Sequence, residues 1–262
     1  MITKLPLASA FAAAALVVMP MSASAQETPT APVPAGMAAS TTVNAFPAIF
    51  GAASAFPAPG NTGFVTLSYG NPRGGISGAG GDGDLAVGYT FGSPVTGVSL
   101  TAGINVTGLA PFADSGNIFL SLSRALHVGE RGATFVGVSG GNLLAWGDAA
   151  ADDESYSVYV SHLTTVGGAG MELPVQFTFG YGNATTQSAD GFAYVGDGFF
   201  AGAGVGLTQN LSVGFSATET AFNVGATATV PGVDGLGITA GFYDATNNVE
   251  RRQFTLSVGY SF

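Results

Sequence analysis

RRQFTLSVGYSF, residues 251–262, shows the pattern that decides the predicted fold. Apolar side chains occupy every second position of this stretch, and small or polar side chains fill the positions between them. Successive residues of a β-strand point to opposite faces of the sheet, so the pattern predicts a strand with one apolar, aromatic-rich face and one small polar face. The apolar set consists of Phe254, Leu256, Val258, Tyr260 and Phe262.

The same strand resembles the C-terminal strand of bacterial outer-membrane β-barrel proteins, which typically ends in Phe after alternating aromatic and apolar residues. The resemblance is to a general, porin-like class and covers this strand alone. It implies an all-β fold, a transmembrane antiparallel up-and-down barrel, in the outer membrane of a Gram-negative cell. It also implies contact with lipid and lipopolysaccharide, and insertion by the barrel assembly machinery through this strand. The alternative is a chance edge strand of a soluble sandwich.

The N-terminal stretch has the features of a secretory signal peptide. Lys4 provides a short positive region, an apolar stretch runs from Leu5 to Pro20, and Ala23 and Ala25 form the small-x-small pattern of a signal-peptidase site. We therefore predict that residues 1–25 are a signal peptide, cut before Gln26. A transmembrane anchor is the alternative, but the apolar core is short and ends in a cleavage-like site.

Residues 26–62 differ in composition from the rest of the chain. Their first half is rich in Pro and Ala, which is typical of a flexible leader in the periplasm. The second half is more apolar, with Phe46, Ile49, Phe50 and Phe56. Two interpretations stay open: a partly ordered tail, which we favour, and a segment that plugs the barrel or packs beneath it.

The composition fits a lipid-facing sheet. The chain is 47% hydrophobic and 8% charged, whereas a soluble domain averages about 25% charged residues. After the signal, no apolar run reaches the roughly 18 residues that a membrane helix needs. The chain has no cysteine, which excludes disulfides and thiolate metal sites. Its net charge of −10 argues against a nucleic-acid partner, and no motif predicts a cofactor.

From Gly63 onward the sequence contains twelve candidate strands, so residues 63–262 are predicted to form a barrel of about twelve strands. Connections that follow odd-numbered strands are predicted to be extracellular and longer, such as 140–154. Those after even-numbered strands are predicted to be short periplasmic turns, such as 125–131. The fifth strand, near Ala133–Ser139, has an ambiguous phase and the eighth is weak, so a count that differs by two stays open.

The polar faces of these strands define the predicted lumen. Ser99, Thr101 and Asn105 illustrate its small, neutral, polar lining. An eight-stranded barrel is just wide enough for side chains to fill, and twelve strands enclose more space. Either the lumen holds water, which predicts a passive pore for small hydrophilic solutes, or loops and the leader occupy it. The second case predicts a structural or adhesive barrel with a closed or plugged lumen.

Acidic residues concentrate in the predicted outer connections. Such a mouth concentrates cations, which predicts a cation preference. One interpretation of its carboxylates is a site for Ca²⁺ or Mg²⁺ ions that bridge lipopolysaccharide. A solvated acidic loop surface is the interpretation we favour over a specific ion site, because no spacing matches a dedicated metal loop. The predicted acidic mouth consists of Asp82, Asp84, Asp114, Asp148, Asp152, Asp153, Glu154, Asp190 and Asp197.

Three other features of the sequence concern a charge in the lumen and catalysis. Arg124, near the inner end of the fourth strand, either projects into the lumen as a charge or anchors the barrel at the interface. Gly137–Gly141 matches the nucleophile-elbow pattern around Ser139, but that motif needs a strand-to-helix turn and a histidine base. His162-Leu163-Thr164 departs from the serine–histidine spacing of the outer-membrane phospholipase, a twelve-stranded barrel. We therefore predict that the protein is not an enzyme.

Overall fold

The computed structural model describes residues 46–56, 60–71, 82–107, 109, 112–130, 132–168, 171–183, 197–248 and 252–262. These residues form twelve β-strands and one short 3-10 helix, Gly147–Ala151. The strands are β1 (Thr62–Gly70), β2 (Asp82–Gly92), β3 (Ser99–Thr107), β4 (Gly116–Gly129), β5 (Gly132–Trp146), β6 (Ser155–Gly168), β7 (Met171–Gly182), β8 (Gly198–Thr208), β9 (Leu211–Thr218), β10 (Phe222–Thr229), β11 (Leu236–Tyr243) and β12 (Gln253–Ser261). Within the described ranges, no helix is both long enough and apolar enough to cross a membrane.

The sheet is a closed, antiparallel, up-and-down barrel. Every strand pairs with its neighbours in sequence, and β12 pairs with β1, from Phe64 opposite Ser261 to Gly70 opposite Thr255. Closure leaves no strand with unpaired backbone groups at a sheet edge, which is the condition for a sheet inside lipid. The prediction of a twelve-stranded barrel is therefore confirmed.

The outward face of the barrel is apolar. On β12, Leu256, Val258 and Tyr260 are exposed, while the alternate Gly259 and Ser261 are buried. The same alternation places Leu67 and Tyr69 of β1 outside, in register with Val258 and Leu256 of β12. A continuous apolar surface of this kind is stable against hydrocarbon rather than water.

The strands β4 to β6 differ most from the sequence prediction. β5 continues to Trp146, through residues that were predicted to belong to the connection 140–154. Its pairing with β4 contains register shifts, and Asn142 and Leu144 have positive φ values of 52° and 48°. Such irregularities break the period of two, so this part of the strand carries no alternation that a sequence pattern can detect. The structure shows which residues of β5 face inward: Phe135 is buried inside the barrel, whereas Val138 is exposed on its outer face.

The two ends of the barrel differ in connection length. Short turns such as 130–131 and 209–210 follow even-numbered strands, while longer connections such as 147–154 and 183–197 mostly follow odd-numbered strands. The connection 219–221 is a short exception. We call these the short-turn end and the long-loop end. β1 begins and β12 ends at the short-turn end, which is the predicted periplasmic side.

Candidate functional site in the barrel lumen

The inward wall of the barrel is small and polar. Ser99, Thr101, Asn105 and Thr107 of β3 are all buried, and they alternate with exposed or half-buried apolar residues. Hydrogen bonds run from strand to strand along this wall. The hydroxyls of Thr90 and Thr101 lie 2.9 Å apart, and the amide of Asn105 donates to Asn117 Oδ1 at 3.2 Å. The Asp84 carboxylate of β2 lies on the same inward face, because Asp84 is paired in register with Ser68 of β1 and Thr107 of β3, which are both buried.

Aromatic rings inside the barrel lie over glycines of the neighbouring strand. Phe64, Gly88, Gly103 and Phe119 form one row across β1–β4, with the two ring centroids 6.2 Å apart. A Cβ atom on Gly88 would collide with the Phe64 ring, and one on Gly103 would collide with the Phe119 ring. These glycines therefore make room for rings that would otherwise not fit inside the sheet.

Residues 46–56, which we call the lumen segment, lie inside the barrel. Ala55 is fully buried, Ile49 and Phe50 are each 5% exposed, and the Pro47 side chain has almost no accessible surface. Gly51, at the turn of the segment, has a φ of +82°, a conformation that glycine adopts without strain. For these residues the favoured expectation of a partly ordered tail was wrong. The composition of the segment does not show the site that it occupies, which the six strands β6 to β11 build together.

The wall provides hydrogen bonds to the backbone of the lumen segment. The Ala55 N–H donates to Ser161 Oγ at 2.8 Å, and Thr178 Oγ1 donates to the Ala53 carbonyl at 3.0 Å. Side-chain amides take part as well: Gln176 donates to the hydroxyl of Ser54, and Asn223 Nδ2 donates to the Gly51 carbonyl at 3.5 Å. Buried backbone groups need such partners, so the polar wall is what allows an irregular segment to lie inside.

The lumen segment enters and leaves at the same end of the barrel. The rings of Phe46 and Phe56 are 4.8 Å apart, so its two ends lie side by side. The ring centroids of Phe56 and Phe135 are 4.5 Å apart. Phe135 lies near the start of β5, so both ends of the segment lie toward the short-turn end. The middle reaches further, because Phe50 lies 4.9 Å from Tyr243, the last residue of β11 at the long-loop end. The segment is therefore a loop inserted from the short-turn end.

Most of the described acidic-mouth residues lie at the long-loop end. Asp114 lies in the connection between β3 and β4, and Asp148, Asp153 and Glu154 lie in the one between β5 and β6; all four are exposed. Asp197 precedes β8 and accepts a hydrogen bond from the Tyr181 hydroxyl at 3.2 Å. Asp82 begins β2, and Asp190 lies outside the described residues.

Asp152, in the connection between β5 and β6, differs from the exposed acids around it. It is half-buried, and its Oδ2 atom has no hydrogen-bond partner among the described residues. Burial raises the pKa of this carboxyl above its usual range, and the neighbouring charge of Asp153 raises it further. In the described part of the chain, no group of three or more His, Cys, Asp or Glu residues is arranged to hold a metal ion.

The remaining predicted residues lie on strands. Arg124 of β4 is exposed and pairs with Val136, between the inward-facing Ser123 and Ala125, so it occupies the outward face. The expectation that Arg124 projects a charge into the lumen is therefore wrong. Ser139 lies within β5 and shares a hydrogen bond of 2.8 Å with Ser157, while the exposed His162 lies 2.9 Å from the Thr134 hydroxyl. β5 continues past Ser139 as a strand, without the helix that a nucleophile elbow requires.

The site and the fold define a twelve-stranded barrel with an apolar exterior and a polar lumen, and the lumen segment lies inside that lumen. No protein-family model and no curated protein matches the chain. Solved structures similar to it include the KdgM porin, with a TM-score of 0.47 and 11% identity over 76% of this chain and 99% of that one. Omp33 of Acinetobacter baumannii, an outer-membrane protein, has a TM-score of 0.48 and 11% identity, over 77% of this chain and 98% of that one. The NanC porin has a TM-score of 0.46 and 10% identity, over 75% and 98%.

Proposed function

We propose that this protein is an outer-membrane β-barrel that forms a passive pore for small hydrophilic solutes. The observation that carries the proposal is the contrast between its two faces, apolar outside and polar inside. A barrel core that serves only for packing gains most from apolar side chains, because buried polar groups contribute little net stability even when they are paired. A lining of Ser, Thr and Asn is instead readily wetted.

Unpaired polar atoms on the wall of β1–β4 support the same proposal. Among the described residues, Thr66 Oγ1, Ser99 Oγ, Asn105 Oδ1, Asn117 Nδ2 and Ser123 Oγ are buried without a hydrogen-bond partner. Leaving such a group unpaired costs about 1–3 kcal/mol. Entry of water or of a hydroxyl-bearing solute into the lumen would offset this cost, which favours a wall that functions in a hydrated state.

The acidic mouth supports a cation preference. The exposed carboxylates at the long-loop end, among them Asp148, Asp153 and Glu154, produce a negative potential that attracts cations and repels anions at low salt. The same carboxylates, bridged by divalent ions, would contact lipopolysaccharide. Export through a cleaved signal peptide, residues 1–25, and assembly through Phe254, Leu256, Val258, Tyr260 and Phe262 belong to the same proposal. It assigns the protein no catalytic activity.

A structural or adhesive barrel with a closed lumen is the second candidate. The lumen segment favours it, because residues 46–56 fill the side of the lumen that faces β6–β11. In this case the acidic connections, rather than the lumen, would be the functional surface.

Single-channel recording separates the two candidates. The mature protein, from residue 26, is refolded into a planar bilayer with a salt gradient across it. Stable conductance steps with a cation-selective reversal potential would support the pore. A folded, heat-modifiable barrel that stays silent, both intact and with residues 46–56 deleted, would refute the pore and leave the structural barrel.

A further inference from the structure

Four glycines form a continuous strip on the inner wall. Gly204 of β8 pairs with Gly214 of β9, Gly214 pairs with Gly225 of β10, and Gly225 pairs with Gly241 of β11. Residues paired in register lie side by side on the same face of a sheet. We call these four residues the glycine row. It removes side chains from a groove that crosses four strands.

The lumen segment lies directly on the glycine row. A Cβ atom on Gly204 would collide with the Ala48 carbonyl and lie 2.9 Å from the Pro47 oxygen. On Gly225 or Gly241, it would lie 2.5 or 2.6 Å from atoms of the Phe50 ring. The row thus lies against the backbone of residues 47–50 and the ring of Phe50, which is the geometry of a binding site for a peptide.

The chemistry of the two surfaces suits reversible binding. The lumen segment carries no charge, and its backbone bonds to hydroxyl and amide side chains of the wall. Those wall groups bond equally well to water when the segment leaves. The segment is not a strand of the barrel, because β1 to β12 close the sheet without it. Since both of its ends lie toward the short-turn end, it can leave without threading through the lumen.

We propose that the glycine row is a peptide-binding site on the lumen wall, that residues 46–56 occupy it as a displaceable plug, and that their withdrawal toward the short-turn end opens the lumen. The opening rests on the proposed pore function, whereas the binding of the segment does not. The ligand class is an uncharged, apolar peptide with a large ring at the position of Phe50.

The test uses substitutions that affect the segment and spare the barrel. For Gly214→Ala, the three atoms nearest to the new methyl group all belong to the lumen segment: the Ala48 carbonyl oxygen, the Phe50 nitrogen and the Ile49 Cα. For Gly204→Ala the three nearest atoms are likewise those of Ala48 and Pro47. Gly237→Ala, on the same inward face of β11, is the matched control, because the nearest atom lies 3.9 Å away.

Two measurements are made on each refolded, full mature protein. A single cysteine at the buried Ala52, in a chain that otherwise has none, reports release of the segment through its rate of reaction with a water-soluble maleimide. Planar-bilayer conductance reports opening of the lumen. We expect labelling to be at least tenfold faster in Gly204→Ala and Gly214→Ala, unchanged in Gly237→Ala, and conductance to rise in the first two alone.

A protein with residues 46–56 deleted provides the converse experiment. A synthetic peptide of residues 46–56 should bind the deleted barrel and reduce its conductance, while a peptide of scrambled sequence should not. Slow labelling in folded Gly204→Ala and Gly214→Ala, equal to that of the parent, would overturn the binding site. Fast labelling with every variant silent would support the binding site and refute the pore function on which the opening depends.

Discussion

Replacement of Phe50 by alanine is the most direct test of how firmly the lumen segment is held. The Phe50 ring is 5% exposed and lies on Gly225 and Gly241, with Tyr243 at 4.9 Å. Truncation of a buried Phe costs about 3–5 kcal/mol, and glycine backbone cannot move into the space that the ring leaves. We take about 3 kcal/mol, the lower end of that range, because the ring lies at the tip of the segment, where the shortened chain can resettle.

This loss is expected to act on the segment and not on the barrel, whose strands close without residues 46–56. A loss of about 3 kcal/mol corresponds to roughly a hundredfold larger released population. When opening and closing are fast, the reaction rate of a buried reporter follows that population. We therefore expect the maleimide to label a cysteine at Ala52 about a hundredfold faster in Phe50→Ala than in the parent.

Phe215→Ala is the matched control for this experiment. Phe215 belongs to β9, next to Gly214, but its ring is 46% exposed on the outward face. Its removal leaves the glycine row unchanged, so the labelling rate should stay within about threefold of the parent. A folded Phe50→Ala protein that labels as slowly as the parent would refute the reasoning. So would an equal increase in Phe215→Ala, because it would show a general loosening of the barrel.

Three further predictions concern the mouth, the wall and the outer connection. Replacing Asp148, Asp153 and Glu154 by their amides should move the reversal potential toward zero at about 0.1 M salt, with little effect at 1 M, because salt screens exposed charges. Glu172→Gln in β7, near the short-turn end, is the control. An unchanged reversal potential in the triple variant would contradict the cation preference. Gly103→Ala should destabilise the barrel by about 1–3 kcal/mol, because the methyl group collides with the Phe119 ring, whereas Gly237→Ala should have little effect in the same denaturant titration. Burial raises the pKa of Asp152, so its contribution to stability is present at low pH and lost as the pH rises through the folded-state pKa. Asp152→Asn should therefore raise Tm at pH 7, by no more than about 2 °C after screening by solvent, and the difference should disappear below the usual pKa range of aspartate; a difference independent of pH would contradict this.

The positions of the strands could largely be predicted from the sequence. Residues such as Leu256, Val258 and Tyr260 alternate with small polar ones, and this alternation alone assigns them to the outward face, where the structure has them. The prediction failed in the second half of β5, where the positive φ values of Asn142 and Leu144 interrupt the period of two. An irregular strand is held by its neighbours, and its own residues carry no periodic signal.

The sequence by itself determined a barrel of about twelve strands, the two faces of each regular strand and the grouping of Asp148, Asp153 and Glu154 in one connection. These features depend on local spacing, since a strand places alternate residues on opposite faces whatever surrounds it. Only the tertiary structure decided that Arg124 faces outward and that residues 46–56 lie inside the barrel. The reason is that the glycine row exists only when β8 to β11 pair in register. Gly204 and Gly241 are far apart along the chain, and nothing near Phe50 in the sequence shows that together they form a groove for its ring.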